Sequence, residues 1–165
     1  MKKRLAMLVL AGAMVTSSLT GCGLKDSATV ATVAGDEIPA GLANFYARMT
    51  QAQYESMYSS YLGDNMWTTE ASEGKTYEKL VKDEVLKDLE NMYLLEDHMD
   101  DYKISLSDDE KKAIKDAAKE FSKDNDKDDK EKVSGDTEYV ERYLTLATIK
   151  QKMTDAIEAE ADTNV

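Results

Sequence analysis

Cysteine, proline and histidine each occur once in this chain of 165 residues, and each scarcity removes a class of explanation. A single cysteine, Cys22, allows no internal disulfide, so the fold must rest on its core. A single proline, Pro39, leaves the rest of the chain free of the commonest helix breaker. A single histidine, His98, stands without a specified nucleophile, as a triad would require, and most zinc sites need more than it offers. Positive charge is also short, with 21 Lys and Arg against 33 Asp and Glu and a net charge of −12. Nucleic-acid binding demands a basic patch, so that class of partner is excluded. There is no Gly-rich phosphate loop of either common spacing, and no cofactor is called for. No apolar run reaches the roughly 20 residues of a permanent membrane span.

What is present begins with a leader. Lys2, Lys3 and Arg4 form a positive start, and Leu5 to Val15 is almost unbroken apolar sequence. Small and polar residues follow, ending in Leu19-Thr20-Gly21-Cys22. This order is that of a secretory signal peptide, but the cut abuts a cysteine where an A-x-A-like site would otherwise stand. Leu-Thr-Gly-Cys resembles a lipobox. That resemblance implies a diacylglyceryl thioether on Cys22, cleavage after Gly21, and anchoring at the extracytoplasmic face of a bacterial cell membrane. Two acyl chains hold stably where one binds only marginally. Removal of residues 1–21 takes away three positive charges and no acids, so the mature chain is still more acidic. Anionic headgroups would repel it, which leaves the lipid to hold it.

The mature part reads as one modest, mainly α domain over 29–162, after a tether over 22–28. Thr29 to Val33 is a β-branched run, and 29–38 is expected to form a small hairpin turning at Gly35-Asp36, or one strand and a turn. Pro39 suits a helix start, and Leu42, Phe45, Tyr46 and Met49 open a helical pattern over 40–62. Residues 66–74 read as a loop carrying the only tryptophan, Trp67. Thr76 is a candidate N-cap for a second helix to about 101, with Val81, Val85, Leu89 and Met92 on its apolar stripe. Ser107-Asp108-Asp109-Glu110 is a capping box opening a third helix through Phe121. Residues 122–136 are acidic and almost without apolar side chains, and read as a solvated loop. Tyr139, Tyr143, Leu146, Ile149, Met153 and Ile157 define a fourth helix over about 137–161.

Few constellations carry chemistry. His98 lies among Glu96, Asp97, Asp100 and Asp101 and reads as a surface histidine. Asp124, Asp126 and Asp128 alternate like calcium ligands, but Asp129 replaces the required Gly and Gly135 the closing Glu, so no metal site is assigned. No catalytic residue is assigned either. The distinctive feature is nine Tyr and nine Met in the chain. Tyr54, Met57, Tyr58 and Tyr61 crowd one helix, with Met66 and Trp67 just beyond. Flexible thioethers and amphipathic rings suit a surface that accepts varied apolar partners. The set is too broad for one helix face, so part of it is expected to be exposed.

The order of parts resembles the N-terminal chaperone domain of SurA/PrsA-type foldase lipoproteins, in the parvulin-type peptidyl-prolyl isomerase family. Val30-Ala31-Thr32-Val33-Ala34-Gly35-Asp36-Glu37-Ile38 looks like the opening strand and turn of that family. Leu80 to Glu96 looks like its long helix, Ile104 to Glu110 like its link into the third helix, and Tyr139 to Ile157 like its closing helix. The resemblance implies a membrane-tethered helper that binds unfolded or nascent exported proteins at Tyr54, Met57, Tyr58, Tyr61, Met66 and Trp67. The chain departs from the family in having no parvulin domain before Val165 and no counterpart of the parvulin histidines. Two alternatives therefore stand beside the chaperone expectation. One is a fragment of a lipoprotein peptidyl-prolyl isomerase; the other is a structural lipoprotein with one dedicated partner.

Overall fold

The structure is a computed structural model that describes residues 25–63, 65–72 and 74–162. The leader and Cys22 lie outside the described residues.

The chain is mainly α, with five helices and a small antiparallel hairpin packed against them. Strands β1 (Thr29–Val33) and β2 (Asp36–Pro39) pair through Val33 with Asp36, Thr32 with Glu37 and Ala31 with Ile38. The turn is Ala34-Gly35, one residue earlier than the sequence suggests. Both take positive φ, 53° and 99°, as a tight right-twisting hairpin requires. Val33 and Ile38 then face the core, with Ile38 fully buried.

Helix α1 (Ala40–Leu62) starts directly after Pro39. Its first amides are satisfied by the segment before β1. Ala40 donates to the Ala28 carbonyl at 2.7 Å and Gly41 to the Asp26 carbonyl at 2.8 Å. The Asp26 carboxylate accepts from the Ser134 hydroxyl, and that hydroxyl accepts from the Asn44 amide, both at 2.9 Å. Residues 25–28 are thus not the free tether expected over 22–28. They are bound to the body because the start of a helix leaves amide groups that need acceptors.

The 66–74 loop is a second correction. A 3-10 turn at Met66–Thr68 leads into β3 (Glu70–Ser72) and β4 (Lys75–Thr76), which pair antiparallel. The Glu70 carboxylate accepts from the Gly74 amide at 2.9 Å, and Tyr77 donates back to the Thr69 carbonyl at 3.1 Å. Backbone closure makes this hairpin, and its polar side chains leave no alternation to read.

Helix α2 (Tyr77–Asp97) is capped by Thr76, whose hydroxyl accepts from the Lys79 amide. It stops at Asp97, short of the expected 101. Met99–Tyr102 tightens into a 3-10 turn that ends with Lys103 in the left-handed region, φ 57°. Helix α3 (Asp108–Asp124) opens on the full Ser107/Glu110 capping box. The acidic stretch 122–136 is not a loop. It finishes α3 and forms α4 (Lys127–Val133), capped by Asp126 accepting from the Asp129 amide at 2.9 Å. Lys130 donates to the Ser122 carbonyl at 3.1 Å, and Val133 packs on the core, so caps and one apolar residue suffice. Helix α5 (Thr137–Asp162) packs against α1, α2 and α3.

Leu42 on α1, Leu89 on α2, and Leu146 and Met153 on α5 are fully buried with Ile38. Each such side chain contributes about 1.5–3 kcal/mol on leaving water. A second cluster sets Phe45 edge-on to Phe121 and Tyr143, at 5.5 and 5.7 Å between centroids. Three cations of α5 meet acids on other helices. Arg142 forms a two-point pair with Glu96, Lys150 holds Asp88, and Lys152 holds Glu110. In an acidic chain these pairs spend scarce positive charge on joining helices.

Candidate functional site

Helix α1 has two halves of different character. Leu42, Ala43 and Phe45 bury the first half, between the hairpin and α5. Between Ala47 and Leu62 the helix carries no branched aliphatic residue, and its large apolar side chains are Tyr and Met. That second half packs only lightly. Met49 and Met57 are each 47% exposed, Tyr58 is 43% exposed, and Tyr61 is 85% exposed.

The sequence-selected residues divide accordingly. Tyr54 is half-buried, with its ring 5.6 Å from Tyr58 and 6.3 Å from Trp67. Its hydroxyl meets the Glu84 carboxylate at 3.5 Å. Burial, then the Glu84 charge, raises the Tyr54 pKa, so the phenol stays neutral. Trp67 is also half-buried, and its indole donates to Glu55 at 2.8 Å. Gln51 donates to the same carboxylate oxygen at 2.8 Å. These hydrogen bonds, first from Gln51 and then from Trp67, hold the Glu55 pKa below its ordinary value. Tyr54, Tyr58 and Trp67 therefore form one tilted aromatic group, braced by Glu55 and Glu84 and continued by exposed Met57 and Tyr61.

Met66 does not belong to that surface. It is 2% exposed, because the 3-10 turn that follows α1 folds its side chain inward. Sequence proximity to Trp67 made it a contact candidate; the tight turn separates the two. The bracing acids Glu55 and Glu84 were not singled out in the sequence. Their only signal is an acid near a ring in a chain full of acids.

A shallow groove of about 250 Å³ runs beside the aromatic group between α1 and α2. Ala47, Val81 and Trp67 give it apolar walls, and Arg48, Gln51 and Glu78 give it polar ones. A second hollow, near the first hairpin, holds Arg142 with its guanidinium 4.6 Å above the Tyr93 ring and paired to Glu96 at 2.7 Å. That cation is committed to joining α5 and α2.

His98 caps the end of α2, exposed, with Nδ1 2.9 Å from Asp101. Asp124 ends α3, while Asp126 caps the start of α4 and Asp128 lies in its first turn, so the three acids are divided between the end of one helix and the start of the next. Among the described residues no group of three or more His, Cys, Asp or Glu could hold a metal ion. Among them, too, no helix is long and apolar enough to cross a membrane.

Comparison with protein families, with characterised proteins and with solved structures finds no match.

Proposed function

We propose that this protein is a lipid-anchored, extracytoplasmic binding module that holds apolar segments of unfolded exported proteins against the second half of α1. The observation that carries the reading is the exposed run Met57, Tyr58 and Tyr61, adjoining the Tyr54–Trp67 group on a helix whose first half is buried. A row of large apolar side chains left in water on one element marks a partner surface more often than a core defect. Rings and thioethers suit partners of varied sequence, because neither demands a fixed hydrogen-bond pattern. Glu55, Glu78 and Glu84 beside them favour segments that mix apolar and basic residues.

The leader and lipobox support export and anchoring at Cys22, and the resemblance to SurA/PrsA-type chaperone domains supports the client class. No bond-making step is proposed, since the aromatic group is braced by hydrogen bonds and presents no nucleophile with a base. A denatured secreted protein diluted into buffer with the soluble form, residues 23–165, tests the reading. Suppressed aggregation near stoichiometric amounts is expected. No suppression by a demonstrably folded sample overturns it and leaves a lipoprotein with one dedicated partner.

A further inference from the structure

The route from the anchor to the folded body is short. The chain is already bonded at Lys25, whose carbonyl accepts from the Ala28 amide at 2.8 Å. Asp26 is fixed three ways: its carbonyl to Gly41, its carboxylate to Ser134, and through Ser134 to Asn44. Ser134 is 3% exposed, so the hydroxyl at the centre of this junction between the start of α1 and the end of α4 is shielded from water, while Asp26 and Asn44 are half-buried. Cys22 to Asp26 is four residue steps, a reach of about 14 Å at full extension. Helix α1 leaves from the same junction, and at 1.5 Å per residue Tyr61 lies about 30 Å from Gly41.

We propose that the end of the domain formed by Asp26, the start of α1 and α4 faces the phospholipid bilayer, and that the aromatic half of α1 is held at the opposite, outer end. This rests on the proposed lipidation of Cys22 and goes further by assigning which surface meets lipid. Tether length sets the orientation, not attraction. Helix α4 and its cap carry Lys127, Lys130 and Lys132 against Asp126, Asp128, Asp129 and Glu131, which is no basic patch. Electrostatics then opposes lying flat. Helix α2 carries Glu78, Asp83, Glu84, Asp88, Glu90, Glu96 and Asp97 against Lys79, Lys82 and Lys87, with Lys82 paired to Glu78 and Lys75 to Asp83, and an anionic leaflet repels the remaining excess of acid within a Debye length of roughly 8–10 Å. A body pivoting on a short tether keeps that helix in solution. Clients would then meet Tyr58 and Tyr61 clear of the headgroups.

The full chain, expressed with its own leader and purified in acylated form, provides the test. Acylation consumes the one native cysteine, so Glu131→Cys on α4 and Tyr61→Cys at the far end of α1 each add a unique free thiol. Both positions are exposed, so folding is not at stake. Each is labelled with a fluorophore and inserted into phosphatidylcholine–phosphatidylglycerol vesicles carrying a headgroup-linked quencher. Several-fold stronger quenching at 131 than at 61 is expected. A flexible Gly-Ser insertion between Leu24 and Lys25 should narrow that gap. Equal quenching at the two sites, or stronger quenching at 61, in acylated protein overturns the orientation alone. An intact mass showing no acyl group on Cys22 overturns the anchoring and the orientation together.

Discussion

Glu110 and Lys152 join the first turn of α3 to the later part of α5, with both carboxylate oxygens 2.8 Å from the ammonium. The same carboxylate accepts from the Ser107 amide at 2.7 Å, so one side chain caps a helix and ties two helices together. The Lys152 hydrogen bond, then the Ser107 amide, lowers the Glu110 pKa to about 2. In the unfolded chain a glutamate titrates near 4.3. A carboxyl depressed on folding adds stability above its unfolded value and loses it as pH falls through the folded one. Glu110→Gln keeps an oxygen for the capping box and removes the charge. Thermal midpoints should therefore be lower for that variant at pH 7, with the gap closing between about pH 4 and pH 2. A gap that persists unchanged at pH 2 would show that the pair contributes nothing.

Gly41 to Ala should destabilise, although alanine is the better helix former by about 1 kcal/mol. A Cβ there would lie 2.4 Å from Cε2 of Tyr139, in the contact where α1 crosses the start of α5. Forcing a methyl into a filled core costs about 1–3 kcal/mol, so the clash outweighs the propensity gain. A fall in the chemical-denaturation midpoint checks the sign. Trimming Tyr139 to Leu in the Gly41→Ala background should recover part of the loss.

Asp88 serves two helices at once. Tyr46 of α1 donates to it at 2.7 Å, and Lys150 of α5 approaches it at 2.6 Å. Burial, then the hydrogen bond to Asp88, raises the Tyr46 pKa, so the phenol remains a donor at any ordinary pH. Asp88→Ala leaves that half-buried hydroxyl without its acceptor, at a cost of about 1–3 kcal/mol. Asp88→Asn retains an acceptor and should lose clearly less, since the Lys150 side chain is 40% exposed and its ammonium can turn to water. Equilibrium unfolding of both variants separates the hydrogen bond from the charge.

These contacts mark the limit of what the sequence discloses. The Ser107–Glu110 box and the Thr76 cap are local, written in three or four neighbouring residues, and both occur as read. Of the stripe read on α5, Tyr139, Leu146, Ile149 and Met153 are buried because a 3.6-residue period leaves them one place to go, Tyr143 is half-buried, and Ile157, near the end of the helix, is 38% exposed. The Asp88 hub spans 62 residues from Lys150, and no local rule chooses that acid among 33. Helix α4 gives no apolar stripe to read, because its stability comes from the Asp126 cap, the Lys130 bond to Ser122 of α3 and Val133 packed on the cluster of Phe45, Ala118 and Val140. In the candidate site, composition marked α1 and Trp67, while the inward turn of Met66 depends on backbone geometry that its neighbours do not announce.

That division gives the sharpest test of the proposed surface. Tyr58→Ser with Tyr61→Ser removes two exposed rings and should move the thermal midpoint little, because exposed substitutions cost within about 0.5 kcal/mol. Met66→Ala empties a buried site and should cost about 2–5 kcal/mol. Capture of an unfolded secreted protein should respond in the opposite order. The double Tyr variant should bind more weakly, by about tenfold for each 1.4 kcal/mol of lost contact. Met66→Ala, assayed below its own unfolding transition, should bind as the parent does. Trp67→Ala should fall between, losing stability through Tyr54 and Glu55 and affinity through the exposed part of its ring. Were Met66→Ala to abolish capture while still folded, and the Tyr pair to have no effect, the binding surface would lie elsewhere than on the outer half of α1.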